Sequence, residues 1–68
     1  MRFTVKIIAA QDRGTGKGVT VYSGDDGEEA NRAAALESTK PENVGKYIRF
    51  YDFVLLGGGM KDTLITAS

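Results

Sequence analysis

An acidic cluster is the first candidate for chemistry in this chain, and its four carboxylates belong to Asp25, Asp26, Glu28 and Glu29. Carboxylates bind hard cations, but a calcium loop needs alternating ligands and a glutamate at its twelfth position, which this cluster lacks. Asp26 and Glu29 instead have capping-box spacing, and the helix dipole stabilises acids at a helix N-terminus. We predict no metal site here. The cluster starts a helix and, as a second role, offers negative charge to a basic partner.

A second candidate group consists of Tyr47, Arg49 and Tyr51. Their alternation places the three side chains on one face of a strand. Aromatic rings beside a cation hold single-stranded nucleic acid by stacking, and Tyr and Arg are also enriched at protein–protein interfaces. We favour a protein contact over nucleic acid. Ordinary sheet packing explains the pattern equally well, so that alternative stays open.

The third candidate is the glycine-rich run from Gly14 to Gly18. A phosphate-binding loop needs the pattern Gly-x4-Gly-Lys-Ser/Thr between a strand and a helix. Here position 11 is Gln, position 18 is Gly and a strand follows, so the segment 11–17 predicts a hairpin loop. Arg13 and Lys17 of this loop would act with the tyrosines only in the alternative function, a single-stranded nucleic-acid-binding module.

Catalysis is disfavoured because the chain has no His and no Cys. General acid and base roles would have to fall on a carboxylate, Lys or Tyr, and no Ser has a His to activate it. Asp52 interrupts an apolar segment, and it is the one carboxylate whose pKa we expect burial to raise; a bulge or an edge position is the simpler explanation. We predict a non-enzymatic protein with no catalytic residue and no cofactor.

Chain length and net charge further restrict which kinds of partner and cellular location we expect. The 68 residues form a single compact domain, 1–68, and nine basic residues balance nine acidic ones. Nucleic-acid binders usually carry a basic surplus, so this balance counts against such a partner. The longest apolar run is far shorter than a membrane span, and the N-terminus alternates like a strand instead of resembling a signal peptide. We expect a soluble cytoplasmic protein that does not contact membranes.

Hydrophobic periodicity predicts five elements. Alternating apolar residues indicate strands over 1–10, 18–23, 46–56 and 60–67. A helix is expected over 27–39, ended by Pro41, and Gly57 to Gly59 predict a flexible turn. The order β-β-α-β-β favours an α+β fold, in which an antiparallel sheet carries one helix on one face.

The same periodicity predicts which side chains meet. The expected helix ridge is Ala30, Ala33 and Leu36, with Ala34 beside it, and Glu28 is spaced to pair with Arg32. Phe3, Val5, Ile7, Val19 and Val21 share the face under the helix. The opposite face would carry Ile8, Tyr22, Tyr47, Tyr51 and Phe53. Because so much apolar surface is unusual on a bare monomer, we expect a homodimer or a partner on that face.

The layout resembles small phage-encoded anti-CRISPR proteins. The resemblance rests on the alternating strand 1–8, the helix start Asp26-Gly27-Glu28-Glu29-Ala30 and the strand 46–56. It implies a non-enzymatic inhibitor that docks on a protein complex of bacterial defence, such as a CRISPR effector, in the host cytoplasm. The acidic cluster would then face basic residues that otherwise hold nucleic acid.

The sequence therefore predicts a binding protein that inhibits or modulates a larger complex by steric occlusion. Tyr47, Arg49 and Tyr51 would anchor it, and the acidic cluster would match the partner's charge. Which of these two surfaces makes the contact stays open. Besides the nucleic-acid module, a third hypothesis is a structural subunit whose open strand edge pairs with copies of itself.

Overall fold

The computed structural model describes residues 1–55 and 59–66 and confirms the predicted order of elements. These elements are β1 (Phe3–Ile8), β2 (Val19–Gly24), α1 (Gly27–Ser38), β3 (Tyr47–Asp52) and β4 (Gly59–Leu64), with short 3-10 turns at Ala10–Asp12 and Pro41–Asn43. The expected turn residues Gly57 and Gly58, the strand end Leu56 and Ala67, the last residue of the predicted final strand, lie outside the described residues.

The four strands form one antiparallel sheet in the order β2-β1-β3-β4, and α1 packs on one face of it. The predicted α+β fold is therefore confirmed. The helix lies over β1 and β2 and contacts β3 much less, so it is off-centre on the sheet. No helix within the described residues is long and apolar enough to cross a membrane.

The core lies between α1 and the sheet. It consists of Val5, Ile7, Ala30, Ile48 and Ile65, with Phe3, Val21, Tyr22, Ala34 and Phe50 packed against it. The helix thus contributes an i, i+4 stripe, Ala30 and Ala34. The prediction for Leu36 is wrong, because its side chain is 60% exposed. A narrow alanine stripe brings the helix close to the sheet and turns the Leu36 position towards solvent.

A β-bulge corrects the predicted position of Tyr22. Val5 pairs with Tyr22 whereas Lys6 pairs with Thr20, so Val21 is an extra residue in β2. The extra residue reverses the alternation, and Tyr22 therefore lies on the helix face instead of the opposite one. Its hydroxyl accepts a hydrogen bond from the Asp26 N–H, at 3.1 Å.

The helix begins as predicted, at an aspartate cap. One Asp26 carboxylate oxygen accepts from the Glu28 N–H at 2.9 Å and from the Glu29 N–H at 3.2 Å. The reciprocal bond of a capping box is made by Tyr22 and not by Glu29, whose carboxylate pairs with Arg32. The predicted Glu28–Arg32 pair is therefore wrong, and the observed pair is i, i+3.

The helix ends one residue before the predicted boundary, and a buried side chain secures this end. The Asn43 amide donates to the Glu37 carbonyl at 2.9 Å and to the Glu37 carboxylate at 3.2 Å. Lys40 also pairs with that carboxylate at 2.7 Å and lowers the pKa of Glu37. The turn that starts at Pro41 thus fixes the path from α1 to β3.

The acidic cluster contributes to stability through one residue in particular. We predict that Asp26→Ala lowers the free energy of unfolding by about 1 kcal/mol, the usual cost of losing an N-cap, whereas Asp26→Asn retains most of it. Urea unfolding followed by circular dichroism measures both. Equal stability of the two variants would show that the cap does not stabilise α1.

Candidate functional site

The candidate site is the sheet face turned away from α1, here called the open face. The pairing register places on it Thr4, Lys6, Ile8, Thr20, Ser23, Tyr47, Arg49, Tyr51, Met60, Asp62 and Leu64. The structure thus confirms that Tyr47, Arg49 and Tyr51 share one face of β3. Their environments differ, because one half of the open face is covered by the β1–β2 loop and the other half is not.

A buried ion pair lies at the centre of the covered half. Arg49 and Asp62 are opposite one another on β3 and β4. The Arg49 Nε and Nη2 donate to the two Asp62 carboxylate oxygens at 2.7 and 2.9 Å. Their side chains are only 9% and 10% exposed. Such a bidentate pair is geometrically specific, and here it joins the two strands of the C-terminal hairpin.

The same pair holds the β1–β2 loop on the sheet. Arg49 Nη2 also donates to the Arg13 carbonyl at 3.1 Å, and Arg13 Nε donates to Asp62 at 3.2 Å. The Arg13 guanidinium lies 4.1 Å from the Tyr47 ring centroid, in cation–π geometry. Two arginines thus share one carboxylate, and the loop covers the end of the open face that carries Tyr47.

Electrostatics in this cluster favour the charged forms. The hydrogen bond from Arg49 is the main reason why the pKa of Asp62 lies below its usual range. The Asp62 carboxylate likewise raises the pKa of Arg49. Arg49 is therefore buried and paired. It supports the open face and does not present a free cation to a partner.

Two glycines allow the loop to approach the sheet. Gly16 has a φ of 71°, a conformation that favours glycine. A Cβ at Gly18 would lie 2.5 Å from the Ile7 carbonyl oxygen and 2.7 Å from the Ile8 side chain. Ile8 lies on the open face as predicted but is fully buried there, because the loop covers this end of β1. The glycines serve a hairpin loop, as predicted.

The uncovered half of the open face presents aromatic rings. Tyr51 and Phe53 stack nearly parallel, with centroids 5.5 Å apart, and Met60 lies opposite Tyr51 on β4. Phe53 and Met60 are 53% and 52% exposed. We call these three residues the aromatic patch. It adjoins a hollow of about 490 Å³ that is lined by Met1, Thr4, Lys6, Thr20, Ser23, Tyr51 and Phe53.

Positive charge near the aromatic patch is sparse. The Lys6 ammonium lies 5.9 Å from the Tyr51 ring centroid. Arg13 is paired with Asp62, whereas Lys17 lines a different cleft, beside Asp12 and Glu37. The structure therefore does not bring the two predicted loop cations together with both tyrosines.

The acidic cluster lies apart from the open face. Glu28 and Glu29 belong to α1, on the other side of the sheet. Asp25 accepts from the Arg2 N–H at 2.8 Å and lies 3.2 Å from the N-terminal amine, whose hydrogen bond lowers the pKa of Asp25. A single flat partner surface would not contact both predicted groups at once.

The prediction for the pKa of Asp52 is wrong, because Arg2 lowers it. Arg2 donates to both Asp52 oxygens at 3.1 and 3.2 Å. The Val54 N–H donates to the same carboxylate at 3.1 Å. Asp52 is thus the last residue of β3 and fixes the turn that follows, four residues before the predicted end of the strand.

The sequence reasoning missed Asp62 and Met60. Both become neighbours of the predicted residues only through the β3–β4 register, although the opposite charges of Arg49 and Asp62 were a usable signal. The described residues contain no group of three potential metal ligands. Comparisons of the chain with protein-family models, curated proteins and solved structures give no match.

Removing the carboxylate of Asp62 tests the buried pair. We predict that Asp62→Asn lowers the free energy of unfolding by about 3 kcal/mol, because a buried Arg49 loses its counter-ion. The double variant Arg49→Met with Asp62→Leu removes both charges and recovers most of that loss. Chemical unfolding at neutral pH measures both. A single variant as stable as the wild type would contradict the assignment.

The pH dependence gives a second readout. Folding lowers the pKa of Asp62. The stability that its ionised carboxylate contributes is therefore fully present above the pKa of the unfolded chain, about 4. This stability is lost as the pH falls through the lower pKa of the folded protein. We predict that the difference in unfolding free energy between the wild type and Asp62→Asn is largest near pH 6 and shrinks towards pH 2. Unfolding curves across this range check the trend, and a constant difference would contradict it.

Proposed function

We propose that this protein is a non-enzymatic binding protein whose contact surface is the aromatic patch. The observation that carries the proposal is the stacked pair of the half-buried Tyr51 and the exposed Phe53, beside the exposed Met60. Rigid aromatic side chains and Met are enriched where proteins contact one another. The adjoining hollow would receive an apolar side chain from the partner.

Charge pairing supports a protein partner over nucleic acid. Single-stranded nucleic acid is held by aromatic stacking together with cations that follow the phosphates. On the open face, Arg49 and Arg13 are both paired with Asp62 and direct their N–H groups to its carboxylate. Arg2 is paired with Asp52 at the end of β3. Lys6 supplies a nearby ammonium, which is the one specific observation that favours the nucleic-acid alternative.

The specific form we propose is inhibition by occlusion. A 68-residue chain that covers part of a larger complex needs no catalytic group. The layout resemblance to anti-CRISPR proteins suggests a complex of bacterial defence as the target, and hence a cytoplasmic site of action. In this proposal Tyr51 replaces Arg49 as the central anchor, and the acidic cluster acts as a helix cap.

Paired substitutions test the contact surface. Tyr51→Ser with Phe53→Ser removes both stacked rings. We predict at least a tenfold loss of affinity for the physiological partner, since losing two aromatic anchors costs about 2 kcal/mol or more. Leu36→Ser with Val44→Ser is the matched control, because it also replaces two exposed apolar residues but leaves the open face unchanged. The measurement is quantitative capture from extracts of a candidate host with the three proteins immobilised in parallel.

The outcomes separate the two functions. A protein retained by the wild type and the control but lost with the paired variant supports the proposal. Equal retention by all three contradicts the assigned surface. Binding of a fluorescent single-stranded oligonucleotide that weakens steeply with added salt and is lost in Lys6→Ala would favour the nucleic-acid module instead.

A further inference from the structure

The outer edge of β4 is regular and open within the described residues. β4 pairs with β3 over six consecutive positions without a register shift, and none of the described strands lies on its other side. The strand sequence GMKDTL contains no proline. Unpaired backbone groups on such an edge are a ready template for another strand.

The opposite edge of the sheet is different. The bulge at Val21 interrupts β2, and bulges discourage edge-to-edge pairing. The charged residues of β4 do not protect its edge in the same way. Asp62 is buried in its pair with Arg49, which leaves Lys61 as the one exposed charge within the strand.

Backbone hydrogen bonds show which groups of β4 are directed outwards. The Ile65 N–H donates to the Lys46 carbonyl at 2.9 Å, and the Gly45 N–H donates to the Ile65 carbonyl at 2.9 Å. The backbone N–H and C=O of Ile65 are therefore directed towards β3. Since hydrogen-bonding residues alternate along an antiparallel strand, Met60, Asp62 and Leu64 direct their N–H and C=O groups towards the free edge.

We propose that β4 pairs antiparallel with β4 of a second copy, around a twofold axis at Asp62. In this register Met60 lies opposite Leu64 of the second copy, and Lys61 lies opposite Thr63 of the second copy. Met60 and Leu64 are both about half exposed, at 52% and 49%, so the pairing buries apolar against apolar. About six backbone hydrogen bonds would join the two outward-facing sets.

Charge repulsion and side-chain polarity favour this register over the two registers shifted by two residues. Pairing shifted by two residues in one direction would place Lys61 opposite its own copy, where like charges repel. A shift in the other direction would place Asp62 opposite Leu64. In the proposed register the two Asp62 carboxylates face each other, but each is already held by Arg49 and Arg13 of its own chain.

The direction of the twofold axis determines how the two sheets and the two helices are arranged in the dimer. A twofold axis normal to the sheet joins the two sheets into one and keeps both helices on the same side. The two open faces then also share one side, so both aromatic patches face the same way. The dimer and the proposed function share one residue, Met60. The dimer argument uses the edge of β4 and neither Tyr51 nor Phe53, so the Tyr51→Ser with Phe53→Ser variant tests the proposed function without altering that edge.

Self-association of the full chain is the first test. We expect sedimentation equilibrium to show a monomer–dimer equilibrium for the wild type. Met60→Lys with Leu64→Lys places cations opposite each other across the axis and should yield only monomer. Leu36→Lys with Val44→Lys adds the same charge elsewhere and should dimerise as the wild type does, with circular dichroism confirming that each variant is folded.

A cross-linking experiment tests the register itself. Because the chain has no cysteine, Lys61→Cys and Thr63→Cys variants can be mixed under oxidising conditions. The mixture should form a disulfide-linked heterodimer, since opposed residues in a non-hydrogen-bonded pair have Cα atoms about 4.5 Å apart. Neither variant alone should cross-link comparably.

Three outcomes would contradict the proposed dimer. If the wild type stays monomeric at millimolar concentration, the proposal is wrong, and the open edge of β4 would instead pair with a strand of another protein. A paired lysine variant that dimerises like its control, or homodimeric cross-links that form as fast as the heterodimer, also overturns it.

Discussion

The buried pair of Arg49 and Asp62 connects three parts of the protein: β3, β4 and the β1–β2 loop. It joins β3 to β4 and, through the Arg13 carbonyl, holds the β1–β2 loop against the sheet. A buried ion pair contributes little net stability compared with apolar packing. Its value here is geometric, because the bidentate contact determines which half of the open face is covered. The aromatic patch lies on the half of the open face that the loop leaves uncovered.

The position of α1 has a similar consequence on the other side of the sheet. The helix contacts the sheet through Ala30 and Ala34, whose short side chains bring it close to β1 and β2. A groove of about 400 Å³ therefore remains between the helix and the C-terminal hairpin, with Ala35 and Phe50 among its lining residues. Both proposed contacts, the aromatic patch and the edge of β4, belong to this less covered half of the domain.

Much of the fold could be predicted from local patterns. Alternation located the strands, and the Asp26 cap predicted the start of α1 correctly. The errors arise where the outcome depends on a partner in another strand or a distant segment. The extra residue Val21 reverses the direction of Tyr22, and the pairing of Asp52 with Arg2 ends β3 early and lowers a pKa that burial alone would raise. Neither effect is visible in the periodicity of a single strand.

The sequence by itself determined the order of elements, the capped helix and the common face of Tyr47, Arg49 and Tyr51, because these depend on neighbours along the chain. Only the tertiary structure decided that Arg49 is buried, that Tyr47 lies beneath Arg13 and that Tyr51 remains accessible with Phe53 and Met60. The physical reason is that exposure depends on what a distant segment covers. Here the β1–β2 loop crosses the start of β3 and contacts Asp62 of β4. The register of these strands determines which residues of β3 the loop covers.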